Sequence, residues 1–305
     1  MRAGFVWAAR QEGIERLSKR LPVTRGLVRR FVAGEDLAST LVALRRLRDD
    51  GLGTTVDVLG ESVDSEVAAT AAADAYLSLL DALQREGLDG NVSLKLTQMG
   101  LDIDRSFCQR NVARIVDRAF ETDAFVRVDM EDHTRTDATL AIARELHGRH
   151  GNVGVVIQSY LRRSEADVET LITERIRVRL CKGAYNEPAS VAFPTKPEVD
   201  ESYVHLMERL LAEGTFPGIA THDERIIERA RDFTARESIG RDRYEFQMLY
   251  GVRRDLQQAL VAEGLAVRVY VPFGSEWYPY FMRRLAERPA NLLFVLRSLA
   301  RERRR

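Results

Sequence analysis

Short runs rich in Val, Ile, Leu and Phe alternate along the chain with longer stretches whose apolar positions recur every three or four residues, the periods of strand and amphipathic helix. Strands are predicted over Val56 to Gly60, Val92 to Leu96, Phe125 to Met130, Val153 to Ser159, Ile176 to Cys181, Gly218 to His222, Tyr244 to Leu249 and Leu265 to Pro272. Helices are predicted between them, over Glu66 to Arg85, Phe107 to Phe120, Ala138 to His147, Asp167 to Thr173, Tyr203 to Leu211, Glu224 to Ala235 and Asp255 to Glu263. Ahead of the first strand, residues 1–50 read as helical. Leu37, Leu41, Leu44 and Leu47 share a face there, and Gly51 stops the pattern.

Eight β runs in strict alternation with helices predict an α/β protein with an all-parallel sheet, a (β/α)8 barrel of the TIM type. A chain of 305 residues is long enough for it, since such a barrel needs about 250. A doubly wound open sheet is the other architecture. Neither of its phosphate-cradling fingerprints, G-x-G-x-x-G after a strand or G-x-x-x-x-G-K-[ST], occurs. The expected organisation is an N-terminal helical extension over residues 1–52 and a single barrel domain over residues 53–305.

Chemistry in such barrels gathers at the C-terminal ends of the strands, and those ends are unusually polar here. In the second strand Ser93, Lys95 and Thr97 share one phase while Val92, Leu94 and Leu96 share the other. The apolar phase should pack on the helices, so Lys95 is predicted to point into the barrel, where it needs an anion. The third strand repeats the pattern with Arg127, Asp129 and Glu131. Gln158 follows from the fourth, and Arg177 and Arg179 precede Lys182-Gly183-Ala184 in the fifth. Thr221 and His222 end the sixth, Leu249 ends the seventh, and Tyr270 lies in the eighth. An interior ion-pair network is the alternative role for Arg127, Asp129, Glu131 and Arg177.

The stretch Tyr270 to Pro289 breaks at Gly274 and restarts as a helix near Pro279. There Tyr280, Arg283, Arg284 and Glu287 fall at i, i+3, i+4 and i+7, one helix face carrying a phenol, two guanidiniums and a carboxylate. A solvated face with an i,i+4 Arg283–Glu287 pair is the bland reading. A helix lying across the barrel mouth would instead hang both arginines over Lys95, as forks for a carboxylate or phosphate. The segment Ala184 to Val199, with Pro188, Pro194 and Pro197 and no helical period, reads as a long loop of the kind that often forms a lid.

Composition narrows the partners. The 46 basic and 46 acidic residues balance, which gives no footprint for nucleic acid or an anionic membrane surface. Only four lysines occur, Lys19, Lys95, Lys182 and Lys196, so a lysine at a strand end is a candidate for work that arginine cannot do. Two cysteines make no disulfide framework and suit a reducing compartment. No signal peptide or transmembrane run is seen. Asp129, Glu131 and His133 invite a metal reading, but their spacing is no ligand motif, and no metal is expected. A Schiff-base lysine, Lys95 or Lys182, acting on an anionic keto acid is the other enzymatic possibility, and a barrel kept as an interaction module is the non-enzymatic one.

The segments VSLKLTQMGLDID, VRVDMEDH, VVIQSYLRR, RVRLCKGAYNEP, ATHDERI, EFQMLYGVR and YVPFGSEWYPYFMRRLAE, taken in order, resemble the signatures of the flavin-dependent proline dehydrogenases, in particular the short monofunctional bacterial type. The resemblance touches every strand from the second to the eighth. It implies a distorted (β/α)8 barrel with FAD bound non-covalently at the strand ends, oxidation of L-proline to Δ1-pyrroline-5-carboxylate, and electron transfer to a membrane quinone. Position by position, it implies that Lys95, Arg283 and Arg284 hold the proline carboxylate and that Asp129 and Arg179 are catalytic. Met130, Gln158, Arg179, Lys182, Gly183, Ala184, Thr221 and His222 match FAD contacts, and Leu249, Tyr270, Tyr280 and Glu287 match the wall around the proline ring.

The departures are small side chains. Cys181 stands where relatives commonly carry valine, and Ser159 replaces a frequent alanine, so tuning of the cofactor is expected. No aldehyde dehydrogenase region follows the barrel pattern, and a separate pyrroline-5-carboxylate dehydrogenase is expected downstream. The expected location is cytoplasmic, with peripheral contact to the inner face of the cell membrane through an amphipathic surface.

Overall fold

A computed structural model describes Val28, residues 30–278 and residues 280–282. Helix α1 (Leu37–Asp49) starts at Asp36, whose carboxylate accepts from the Ser39 N–H, and leads into β1 (Gly53–Val58). The order then runs α2 (Glu66–Arg85), β2 (Asn91–Leu94), α3 (Arg105–Glu121), β3 (Phe125–Val128), α4 (Thr136–His150), β4 (Val153–Gln158), α5 (Ser164–Thr173), β5 (Val178–Cys181), α6 (Lys196–Glu213), β6 (Gly218–Ala220), α7 (Glu224–Arg236), β7 (Glu245–Leu249), α8 (Arg254–Ala262) and β8 (Val267–Phe273). All eight strands are parallel and pair in sequence order, and β8 returns to β1 over six residue pairs, Gly53 with Arg268 through Val58 with Phe273. Closure excludes the open sheet.

Strand ends coincide with the sequence reading or differ from it by one to three residues. The larger correction concerns the loop after β5. Helix α6 begins inside it, at Lys196, because Thr195 and Glu198 form a reciprocal capping box and Pro197 occupies the first turn. Pro197, read from sequence as a breaker, is a helix starter. The rest of that loop is pinned, with a bridge between Leu161 and Ala192 and a bond from the Phe193 N–H to the Tyr160 carbonyl at 2.8 Å.

The main core lies between strands and helices, where Val92, Leu94, Val126, Val128, Val155, Leu180, Phe246 and Val269 are buried against Leu79, Leu83, Ile115, Ile142 and Leu210. A second cluster sits at the mouth. Val28, Phe31 and Val32 from the N-terminal segment meet Leu59, Trp277, Tyr278, Tyr280, Phe281 and Met282 from the segment after β8. Backbone bonds from Ala33 to Pro272 and from Gly274 to Gly34, both 3.0 Å, tie the two segments together. Helical residues begin at Trp277, two positions before Pro279. Pro279, Arg283, Arg284, Glu287 and the helical pattern predicted for residues 1–27 lie outside the described residues.

Two inward glycines make room for large polar side chains. A Cβ on Gly218 would meet Gln247 Nε2 at 2.4 Å, and one on Gly154 would meet the Arg177 carbonyl at 2.5 Å and Arg127 Nη1 at 2.8 Å. The second site includes backbone and cannot yield cheaply. Gly154→Ala is therefore expected to lower unfolding free energy by about 1–3 kcal/mol; denaturant titration against the wild type measures it, and an unchanged midpoint would contradict the packing described.

Candidate active site

Alternate residues of each strand face the barrel axis, and here many of those positions are polar. They form one hydrogen-bonded ladder. At the floor, Arg268 Nε donates to Glu245 Oε1 at 2.8 Å, and the same oxygen accepts from Gln247 Nε2 at 2.6 Å. Gln247 Oε1 accepts from Arg179 Nε. The guanidinium of Arg179 also donates to Asp129 Oδ1 at 2.9 Å and to Ser93 Oγ at 3.0 Å, and it lies 5.2 Å from the centre of the Tyr270 ring. Three acceptors and one ring thus fix its plane. The Tyr270 hydroxyl donates to Asp129 Oδ2 at 2.9 Å.

Lys95 completes the top of the ladder. Its Nζ donates to both carboxylate oxygens of Asp57 at 3.3 Å and stands 3.7 Å from Asp129 Oδ2. Burial works against the ammonium, but Asp57 and Asp129 outweigh it and hold Lys95 above its ordinary value. Burial pushes the Asp57 carboxyl up, with Lys95 pulling it back and Asp129 pushing the same way as burial. The Tyr270 phenol is likewise pushed well up by burial and by Asp129, so it stays a donor. Two cations and two carboxylates balance at the barrel mouth.

A cavity of about 500 Å³ opens above this ladder at the C-terminal strand ends. Lys95, Asp129, Arg179 and Tyr270 line its floor, and Met130, Gln158, Lys182, Gly183, Ala184, Thr221, His222, Leu249 and Tyr280 line its walls. Every described residue singled out from the sequence as substrate-binding, catalytic or cofactor-binding is thus brought to one chamber. The Gln158 amide donates to the Glu131 carbonyl at 2.9 Å. The Leu249 N–H donates to His222 Nε2 at 3.0 Å, which places the imidazole proton on Nδ1. At the rim, Lys182 Nζ donates to Asp200 Oδ1 at 2.6 Å and Asp223 Oδ2 at 3.2 Å. Gly183 has φ +114°, and a Cβ there would lie 2.4 Å from the Tyr160 ring. Only glycine fits both demands.

Other expectations are redistributed. Arg177 is exposed beyond the other end of the barrel, stacked on Phe125 at 5.0 Å and Phe216 at 5.3 Å, because it precedes β5 rather than lying within it. Arg127 is a floor plug that donates to the carbonyls of Val155 at 3.2 Å and Arg177 at 2.7 Å. Asp129, Glu131 and His133 do not converge: Asp129 serves Arg179, Glu131 accepts from Thr97 Oγ1 at 2.5 Å, and His133 bonds Glu187. The Glu187 contact ties the loop after β5 to the end of β3.

Four residues were missed from the sequence. Asp57 shares the phase of Thr55, opposite Val56 and Val58, so the alternation that located Lys95 would have placed it inward too. Gln247 follows by the same rule in β7. Phe31, in a helical segment, and Glu187, in the loop after β5, had no such signal, since neither lies in a strand.

A closed parallel barrel whose charged interior opens on a ligand-sized chamber at the strand ends defines an enzyme of the (β/α)8 class. The proline dehydrogenase family profile matches residues 40–297. Proline dehydrogenase from Deinococcus radiodurans is 45% identical over 278 residues, covering 90% of each chain, and proline dehydrogenase 1 from Bacillus subtilis strain 168 is 37% identical over 302 residues, covering 99% of this chain and all of that one. The chain belongs to the proline dehydrogenase family. Among solved structures, proline utilization A (PutA) from Bdellovibrio bacteriovorus inactivated by N-propargylglycine superposes with a TM-score of 0.81 at 26% identity over 87% of this chain. The match spans 33% of that longer protein.

The two thiols report on this geometry. Cys181 lines the chamber and is half-buried, whereas Cys108 is buried and burial pushes its thiol up to about 12, which suppresses the reactive thiolate. At about pH 8, a thiol reagent is expected to modify Cys181 in the native protein and Cys108 only after unfolding. Fast modification of Cys108 in the native state would contradict the arrangement.

Proposed function

We propose that this chain oxidises L-proline to Δ1-pyrroline-5-carboxylate with FAD as the hydride acceptor and a membrane quinone as the final electron acceptor, the first step of proline catabolism to glutamate. The observation that carries the reading is the chamber itself, where a floor of paired charges that includes Lys95 and Arg179 meets an apolar and aromatic wall beside strand-end backbone. The family assignment supports the substrate. A separate pyrroline-5-carboxylate dehydrogenase would take the product.

The donor set suits a flavin nucleotide. Gly183 brings main chain to the chamber without a side chain, Met130 and Leu249 offer apolar surface, and Gln158, Thr221 and His222 offer polar atoms. With Arg179, Lys182 and Ala184, these residues would hold the cofactor. Bound FAD supplies a two-electron acceptor for the hydride leaving proline C5.

The chain's own residues then bind and orient. Lys95, with Arg283 and Arg284, takes the proline carboxylate through charge-assisted hydrogen bonds. Such a clamp leaves the ring one pose, which converts encounter into oriented reaction. Leu249, Tyr270, Tyr280 and Glu287 wall the ring, and the apolar members exclude water. Asp129 acts by aligning Arg179 and Tyr270 at once. A Schiff-base role for Lys95 is disfavoured, because attack needs a neutral amine and two carboxylates hold this one charged.

Among the described residues no helix is long and apolar enough to cross a membrane. Electron delivery to a quinone would then need contact at the bilayer surface from the cytoplasmic side, through an amphipathic face.

The test is steady-state oxidation of L-proline with a soluble quinone analogue, scored by trapping the cyclic imine product. Turnover is expected in the wild type. Arg283→Met and Arg284→Met should each raise KM for proline by about tenfold or more, because the carboxylate loses a charged donor. Unchanged KM in both variants would remove the clamp, and no turnover in flavin-loaded wild type would overturn the reading.

A further inference from the structure

Asp57 does not line the chamber, yet it is fully buried, and both its oxygens lie 3.3 Å from Lys95 Nζ. Its other polar neighbours are the Tyr270 phenol and, 3.3 Å from Oδ1, the Tyr76 hydroxyl, which reaches in from α2 through the seam between β1 and β2. That hydroxyl lies 2.6 Å from the Ser93 carbonyl and accepts from the Val58 N–H at 3.2 Å. Each phenol carries one hydrogen, and the shorter bonds, from Tyr76 to the Ser93 carbonyl and from Tyr270 to Asp129 at 2.9 Å, take them. Lys95 is then the donor that satisfies Asp57.

The reverse dependence is stronger. Among the described residues, Asp57 is the one carboxylate that engages Lys95 with both oxygens, since Asp129 divides itself between Arg179 and Tyr270. The ammonium has three hydrogens, and beyond Asp57 it meets the Tyr270 hydroxyl at 3.4 Å and Asp129 Oδ2 at 3.7 Å. The other titratable groups that act on Lys95 are Asp129, Tyr185 and Glu61. Without Asp57, the lysine would lose the contact that sets its direction and the nearest charge that keeps it protonated inside the barrel.

We propose that Asp57 is a positioning residue for proline oxidation: from behind the chamber it holds Lys95 as an ammonium aimed at the substrate carboxylate. The proposal rests on the function proposed above. Asp57 touches neither substrate nor cofactor and acts through Lys95 alone.

The experiment is a double-mutant cycle with Asp57→Asn and Lys95→Met, read by proline kinetics and by thermal unfolding. Asp57→Asn keeps the shape and removes the charge. It should raise KM for L-proline by about tenfold while kcat changes by less than about threefold, the pattern of lost binding. In the Lys95→Met background, the same replacement should alter KM by less than about twofold, because its target is already gone. Lys95→Met alone leaves a carboxylate buried without its cation, so adding Asp57→Asn should raise Tm.

An unchanged KM in Asp57→Asn beside an active wild type would overturn the proposal, as would additive effects of the two substitutions. A further fall in Tm for the double variant would contradict the pairing. A wild type that oxidises no proline would instead overturn the function on which the proposal rests, and the order of the unfolding temperatures would still decide whether the pair exists.

Discussion

Charge buried inside a closed barrel is tolerable only beside its opposite, and the interior of this protein is organised by that constraint. Most (β/α)8 barrels fill the axis with branched aliphatic side chains. Here Arg268, Glu245, Gln247, Arg179, Asp129, Tyr270, Lys95 and Asp57 run from floor to mouth, each satisfied by the next. Removing one partner of such a pair leaves a stranded charge at a cost of about 3–5 kcal/mol. The ladder therefore fixes its own geometry, and the fixed geometry is what a substrate carboxylate meets.

The same constraint explains features remote from the chamber. Gly154 and Gly218 are the space into which Arg127 and Gln247 extend, so the barrel gives up aliphatic filling to seat polar groups. Tyr76 wedges its hydroxyl between β1 and β2 and serves backbone groups that strand pairing leaves open there. At the mouth the enclosure is apolar. Phe31 from the N-terminal segment and Tyr280 from the segment after β8 meet over the cavity, and Gly251 passes close under the Arg30 carbonyl with φ +73°. The two ends of the chain's described part thus close a chamber built by its middle.

Much of this was legible in the sequence, and for a single reason. A strand has a period of two, so a polar residue in the phase opposite a run of valines and leucines must point to the axis. That rule locates Lys95, Asp129 and Arg179, and it holds equally for Asp57 and Gln247. It failed at Arg177, because inwardness needs the residue to lie within the strand and β5 begins one position later. The start of α6 was hidden by proline, which has opposite meanings inside a helix and in its first turn. Phe31 comes from a helical segment ahead of α1 and Glu187 from the loop after β5, and their contacts follow from tertiary packing that leaves no trace in the strand pattern. Arg283, Arg284 and Glu287 rest on their helical spacing and on the sequence resemblance.

The most direct measurement is the visible absorbance of the purified protein before and after adding L-proline without oxygen. The account predicts flavin bands that bleach on proline, which would establish cofactor, substrate and direction of electron flow together. Bands that ignore proline would contradict the substrate, and a colourless protein that could not be reconstituted with FAD would contradict the chemistry assigned to the chamber.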